Sequence, residues 1–399
     1  MKKERNEWEK IQDRLSELED MFLRFQPRSQ LQFEVDITRH CNLNCAYCGL
    51  YSPLAEKEFL DPEEYRRDCA RLSELFHGEM RRVYLLGGEP LLHPQIIELM
   101  KITREAFPLG IIRILTNGIL LPKMEEDFWE ACHKYQVEIT TTEYPIQLDY
   151  SACGDIAEKH GVAYVPHTFG IDKVHKKKMG RDLISLKSMV RPERNFAHCG
   201  SANICLTLSH GKMYACGVAA NIHLLKNYFH LDLPVSEQNG VDIYTIESGE
   251  ELMRRMARAM PLCGHCDLSV REVTWDWGTS KRDRYEWLGF EFLDEDFQYL
   301  SEASHIYVFG AGGVGMETLR RLQRKNVHVD AVLATRTEGK PETIFGVPLV
   351  RLQDLDPVPE NSVCLMALHS PESKRKVYPI LCERSFKNVL PVYGFKKAE

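Results

Sequence analysis

No stretch of this 399-residue chain comes near the ~20 consecutive apolar residues that a membrane-spanning helix needs. The N-terminus, Met1-Lys2-Lys3-Glu4, does not lead into the short apolar core of a secretory signal. The chain therefore reads as cytoplasmic, with no membrane partner. A basic surplus is missing as well: 51 Lys and Arg stand against 58 Asp and Glu, a net charge of −7. Phosphate binding needs a basic footprint, so a general nucleic-acid binder is excluded. With 44% apolar and 27% charged residues the composition is that of an ordinary soluble protein, long enough for two or three domains. What the chain has in plenty is cysteine. Thirteen in a cytosolic-looking sequence point to metal binding rather than disulfides. Cys69, Cys132, Cys153, Cys364 and Cys382 are scattered and read as core or surface thiols, while the other eight form two groups.

The first group is Cys41-Asn42-Leu43-Asn44-Cys45-Ala46-Tyr47-Cys48, directly after the alternating run Phe33 to Ile37. The C-x3-C-x2-C spacing puts three soft thiolates on one short loop, suited to zinc or an iron–sulfur centre. Three ligands cannot close a tetrahedral zinc site or saturate a four-iron cluster. One metal position is left for something other than protein, as in catalytic sites.

From residue 31 the chain alternates strands and helices. Strands are expected at 32–38, 81–86, 111–115, 137–142 and 162–165, with amphipathic helices near 61–76, 94–106, 123–134 and 151–160. Such alternation implies a parallel sheet, with the chemistry at the carboxyl ends of the strands. Each notable motif falls there: the cysteine loop, then Gly87-Gly88-Glu89-Pro90, then Thr116-Asn117-Gly118, then Glu143-Tyr144. Two glycines let backbone approach a ligand closely, and Glu89 adds an acceptor before a rigid proline. Upstream, Trp8, Ile11, Leu15, Leu18, Phe22 and Phe25 form one apolar seam of a helix over 4–26. It reads as a helix lying on the main domain, or as a coiled-coil seam of a homodimer. The polar stretch 167–195, with Lys173 and Lys176 to Lys178, reads as a solvated loop.

The cysteine spacing, Tyr47 before the last cysteine, and the Gly-Gly-Glu-Pro turn one βα unit later closely resemble radical S-adenosylmethionine (SAM) enzymes. The resemblance implies a partial (β/α)6 TIM-like barrel. In it Cys41, Cys45 and Cys48 would hold a [4Fe–4S] cluster whose fourth iron takes SAM. Tyr47, Gly87, Gly88, Glu89, Pro90, Thr116, Asn117 and Gly118 would line the SAM site, with Glu143 and Tyr144 next to SAM or substrate. Reduction by a flavodoxin- or ferredoxin-type donor would cleave SAM to a 5′-deoxyadenosyl radical that abstracts a substrate hydrogen. His93 and Arg39 are further residues within reach as a general base.

The second group is Cys199, Cys205, Cys216, Cys263 and Cys266. Residues 204–215 read as a β-hairpin ending on Cys216, followed after a long gap by the CxxC of Cys263 and Cys266. Zinc is the generic reading of this pattern. The hairpin and late CxxC are similar to the SPASM/twitch region of radical SAM enzymes, which implies a small α+β domain with an auxiliary [4Fe–4S] cluster. Five cysteines compete for four places, and Cys199 fits the spacing better than Cys205.

After an acidic linker at 291–302, the strand at 305–309 runs into Gly310-Ala311-Gly312-Gly313-Val314-Gly315 and a helix. This is the G-x-G-x-x-G of a Rossmann-like α/β unit, without an acid after the next strand to hold a ribose. The expected layout is thus a helix at 1–30, a barrel at 31–195, an auxiliary domain at 196–290 and a Rossmann-like domain at 303–399. The tail resembles modules of sugar-modifying proteins and favours a carbohydrate or cyclitol substrate. Three rivals are a peptide-modifying maturase, a non-catalytic metal-binding scaffold with a Rossmann partner module, and a nicotinamide dehydrogenase, which the missing acid disfavours.

Overall fold

Runs that alternate polar and apolar residues build the first sheet of the computed structural model, which describes residues 25–27, 31–165, 178–233, 237–271 and 274–394. The helix expected over 4–26 lies almost wholly outside these residues, as do Lys173 to Lys177. Four strands, β1 (Gln32–Thr38), β2 (Arg82–Gly87), β3 (Ile111–Thr116) and β4 (Val137–Thr141), pair in parallel and in sequence order. On one face Phe33, Val35, Val83, Ile112 and Ile139 are buried. The ring of Phe33 meets Phe107, just past the helix Ile96–Ala106, at 5.8 Å.

The intervening helices fall where their periodicity puts them, at Pro62–Phe76, Ile96–Ala106, Glu126–Lys134 and Tyr150–Lys159. The first starts as its sequence dictates. The Asp61 side chain caps the Glu63 N–H at 2.9 Å, Pro62 opens the helix, and Glu63 and Glu64 fill the first turn. The strand expected at 162–165 is reduced to a single bridge between Tyr164 and Ile139, next to residues outside the description.

The auxiliary domain expected at 196–290 is not a separate body. Its hairpin, Thr207–Ser209 with Lys212–Tyr214, extends the first sheet: Glu34 and Val35 on the free edge of β1 pair in parallel with Thr207 and Leu208. Gly240–Asp242 adds the seventh strand. The chain divides into two compact units, the first being Met1–Lys178, Val190–Gly264 and Trp277–Ser280. The second comprises Met179–Met189, His265–Asp276 and Lys281–Glu399. Cys266 and residues 281–290 therefore belong with the C-terminal part of the chain.

The second unit holds a six-stranded sheet in the spatial order Thr343–Ile344, Val347–Arg351, Ala331–Ala334, His305–Phe309, Ser362–Met366, Asn388–Pro391. All neighbours are parallel except the first pair. Leu319 and Leu322 of helix Gly313–Arg324 pack on Val308, Val332 and Leu365, whereas Tyr378 and Leu381 of helix Pro371–Cys382 pack with Phe309, Leu333 and Cys364. Helices thus cover both faces, the doubly wound arrangement that the glycine motif implied. Gly315 is required by packing: a Cβ there would stand 1.6 Å from the Gly310 carbonyl oxygen.

Candidate metal centre

The cysteine loop leaves the carboxyl end of β1 and curls on itself, with Asn44 and Tyr47 in left-handed backbone at φ 49° and 63°. Asn tolerates this conformation; a bulky Tyr there is unusual and marks a constrained site. Cys45 is buried, Cys41 and Cys48 are half-buried, and none of the three is in a disulfide. Burial pushes the Cys41 and Cys48 thiols above their ordinary range, and hydrogen bonds oppose it. The donors are the Leu43 and Asn44 backbone for Cys41, and the Leu50 and Ser52 backbone with the Ser52 hydroxyl for Cys48. Cys45 Sγ accepts from the Trp277 indole N–H at 3.1 Å.

Tyr144 packs on Trp277, the indole that donates to Cys45, and lies within electrostatic reach of all three sulfurs. Burial, and then the negative charge of Cys45, Cys48 and Cys41, drives its hydroxyl well above the usual tyrosine range. Three thiols on one loop, each furnished with N–H donors, fit an iron–sulfur cluster, whose sulfurs accept such bonds. Among the described residues no three Cys, His, Asp or Glu side chains converge on a single ion. The thiolates of a four-iron cluster each bind a different iron, a wider arrangement than the shell of one ion.

The neighbouring loops hold the cysteine loop in place. Gly88 N–H donates to the Thr38 carbonyl at 2.7 Å and Glu89 N–H to the His40 carbonyl at 2.8 Å. A Cβ on Gly88 would stand 2.3 Å from the His40 oxygen, so this glycine is demanded by backbone of the cysteine loop itself. The Glu89 carboxylate is fully buried and accepts from Thr116 Oγ1 at 2.6 Å, the Asn117 N–H at 2.9 Å and the Leu91 N–H at 3.1 Å. It braces β2 against β3. Burial raises its pKa and these donors lower it, with burial ahead. A Glu89→Gln amide turns a donor toward groups that also donate. The expected loss is about 2–4 kcal/mol, read as a lower urea midpoint of the full chain.

The third loop joins through Asn117 Nδ2, which donates to Asn42 Oδ1 at 2.7 Å, and the Asn117 carbonyl accepts from Tyr150 OH at 3.2 Å. Tyr150 in turn accepts from the Tyr144 N–H at 2.8 Å. Glu143 is partly buried, and its charge acts on the hydroxyls of Tyr150 and Tyr164. Two residues named from the sequence are occupied otherwise. His93 is buried, with Nε2 3.0 Å from the Leu60 carbonyl and Nδ1 accepting from the Gln95 N–H at 3.1 Å. Arg39 pairs with Glu58 at 2.8 Å and donates to Asn221.

The sequence reading missed a polar row on the opposite face of the sheet. Register aligns Glu34, Tyr84, Arg113 and Glu138 across β1 to β4. Its signal was the strand alternation itself, since strands buried on both faces read as unbroken apolar runs. Burial and the nearby Asp36 push the Glu34 carboxyl up to about 7, against a hydrogen bond with Cys205. The aromatic run Trp275 to Trp277, which in the sequence suggests packing or a shield beside the second cysteine group, leads into Trp277–Ser280 along the first cysteine loop: Ala46 N–H donates to the Gly278 carbonyl at 2.8 Å, Ser280 N–H to the Asn44 carbonyl at 2.7 Å.

In the second cysteine group, Cys199 and Cys263 lie within electrostatic reach of each other. Burial pushes the Cys263 thiol to about 11, and the charge of Cys199 adds to the rise. Cys199 Sγ accepts from the Ser201 and Ala202 N–H groups at 3.5 and 3.3 Å. Cys205 is instead engaged by Glu34, and Cys216 occupies the N-cap position of the helix Gly217–Phe229 without a side-chain capping bond. Cys266 lies in the second unit, where it bridges to Ile184.

Residues 35–146 match the family model of the radical SAM superfamily. The chain carries a radical SAM domain. It is similar to the GTP 3′,8-cyclase of Chlorobaculum tepidum, 34% identical over 97 residues, which are 24% of this chain and 28% of the relative. The probable GTP 3′,8-cyclase of Methanothermobacter marburgensis is 34% identical over 105 residues, 26% of this chain and 33% of the relative. The chain thus spans about a third or less of the length of these curated relatives. Among solved structures it is similar to BtrN in complex with AdoMet and 2-DOIA, at TM-score 0.37 and 17% identity, over 66% of this chain and 99% of that one. Streptococcus suis SuiB bound to precursor peptide SuiA aligns at TM-score 0.31 and 12% identity, over 65% and 72%. The radical SAM domain's family supplies the [4Fe–4S] cluster and SAM as cofactors. No described helix is long and apolar enough to cross a membrane.

Proposed function

We propose that the chain is a SAM-dependent radical enzyme whose cluster is held by Cys41, Cys45 and Cys48. The observation that carries this reading is the set of three thiols on one loop at the carboxyl end of β1, none in a disulfide and each furnished with hydrogen-bond donors. When bound, the cluster and SAM supply a 5′-deoxyadenosyl radical that takes a hydrogen atom from the substrate. The protein's own work is positioning and exclusion of water. Glu89 fixes the second and third loops as one body, so that Gly87 to Pro90 and Thr116 to Gly118 present fixed backbone to SAM. Tyr144, neutral as an ordinary phenol is near pH 7, offers a hydroxyl rather than a charge on the side of Trp277. Glu143 faces the substrate side.

An auxiliary [4Fe–4S] cluster draws on Cys199, Cys216 and Cys263, and Cys266 completes the cysteine pattern in the sequence. Its role is to accept the second electron of a two-electron oxidation. The substrate is a carbohydrate or cyclitol, in keeping with the polar face of Glu34, Tyr84, Arg113 and Glu138. A flavodoxin- or ferredoxin-type protein is the electron donor.

Anaerobic reconstitution with iron and sulfide tests the cofactors. About eight irons per chain are expected, falling to about four in Cys263→Ala; about four in both removes the auxiliary cluster. Release of 5′-deoxyadenosine then tests the substrate. Stimulation by aminocyclitols or amino sugars supports the reading, while stimulation by GTP alone moves the chain to the cyclase branch. Stimulation by a peptide alone makes it a maturase.

A further inference from the structure

The three sulfurs of the cysteine loop differ in what donates to them. Cys41 and Cys48 take their donors from their own loop, backbone N–H groups for both and the Ser52 hydroxyl in addition for Cys48. Cys45 takes one from a side chain 232 residues away, the indole of Trp277. Two features hold that indole. The backbone hydrogen bonds of Gly278 and Ser280, which together make the Cys45–Thr279 antiparallel bridge, pin the chain on either side of the sulfur. The Tyr144 ring packs on Trp277 with centroids 6.1 Å apart. An indole N–H can only donate, so the sulfur is always the acceptor.

Resting on the radical SAM reading above, we infer that Trp277 tunes the reduction potential of the cluster through its hydrogen bond to Cys45. Reduction adds one electron to the cluster and leaves more negative charge on its sulfurs. An N–H dipole aimed at a sulfur stabilises that reduced state more than the oxidised one, and so raises the potential. Cys45 is only 7% exposed, so water does not screen the bond. Trp277 is therefore a positioning residue that acts through a ligand of the cluster and makes the first electron easier to deliver.

The test is a redox titration of the reconstituted full-length protein, followed by the electron paramagnetic resonance of the reduced cluster, with Cys263→Ala as background. Trp277→Phe keeps the ring and removes the donor. At the wild-type midpoint the ratio of reduced to oxidised cluster is expected to fall about tenfold, equivalent to 59 mV toward negative potential for a one-electron couple. A variant that takes up its irons and keeps the wild-type potential overturns the inference. Should Trp277→Phe fail to hold iron, the same titration is run on protein labelled with 5-fluorotryptophan, whose indole N–H is a stronger donor. A rise in potential then supports the inference and an unchanged one overturns it. A wild-type chain that binds no cluster at all overturns the radical SAM reading, and this inference falls with it.

Discussion

Cys45→Ala should reduce 5′-deoxyadenosine formation to the background of enzyme-free mixtures, with loss of the irons of one cluster. The expected effect is this large because the cysteine is both a proposed ligand and the centre of the loop's own structure. Its sulfur meets Trp277, its backbone bridges to Thr279, and the adjoining Ala46 N–H reaches Gly278. Three thiolates are the fewest that leave one iron open, and two hold a four-iron cluster poorly. The measurement is anaerobic: iron counting, then product quantitation under excess reductant. Cys69→Ala is the control, because Cys69 is a buried thiol on a helix whose pKa near 12 reflects burial first. It should keep its irons and lose only stability. Full product formation by Cys45→Ala would remove the loop from the chemistry.

The second large effect is expected of Gly88→Ala. One methyl group would stand 2.3 Å from the His40 carbonyl oxygen and 3.0 Å from that of Arg39, and both are rigid backbone. Either the Gly-Gly-Glu-Pro turn or the start of the cysteine loop must move. Overpacking of this kind costs typically about 1–3 kcal/mol, and here the displaced backbone carries Cys41. A misplacement near 1 Å at a reacting centre costs on the order of 100-fold in rate. The expected result is therefore a modest fall in denaturation midpoint with a fall in SAM cleavage of about 100-fold or more. Gly200→Ala is the matched control, since nothing lies within 4 Å of a Cβ there. Equal losses in the two variants would show that the turn does not position the cysteines.

The first sheet was legible because each strand repeats the period-two pattern that a half-buried pleat imposes, as in Phe33, Val35 and Ile37. The helices between were legible from their caps and apolar seams, Asp61-Pro62 above all. The Rossmann-like unit was legible from its glycines, although their purpose at Gly315 is contact with Gly310. Other features depend on partners far along the chain. Pairing of Thr207–Ser209 with β1 is set by a vacant strand edge, which no local pattern encodes. Glu89 has the composition of a ligand-binding residue, and only the arrival of Thr116 and Asn117 makes it a brace. The aromatic run Trp275 to Trp277 reads as packing, and the identity of its sulfur acceptor is a tertiary fact.

The Trp277–Ser280 segment also sets a timetable for biogenesis. A ribosome adding roughly 5–20 residues per second emits Cys45 some ten to fifty seconds before the indole that covers it. Throughout that interval the nascent thiols have no lid, exposed to oxidants and to adventitious metals. Cargo delivered by an assembly machinery would therefore be retained best after translation has passed residue 280, and early delivery would leave it open to solvent.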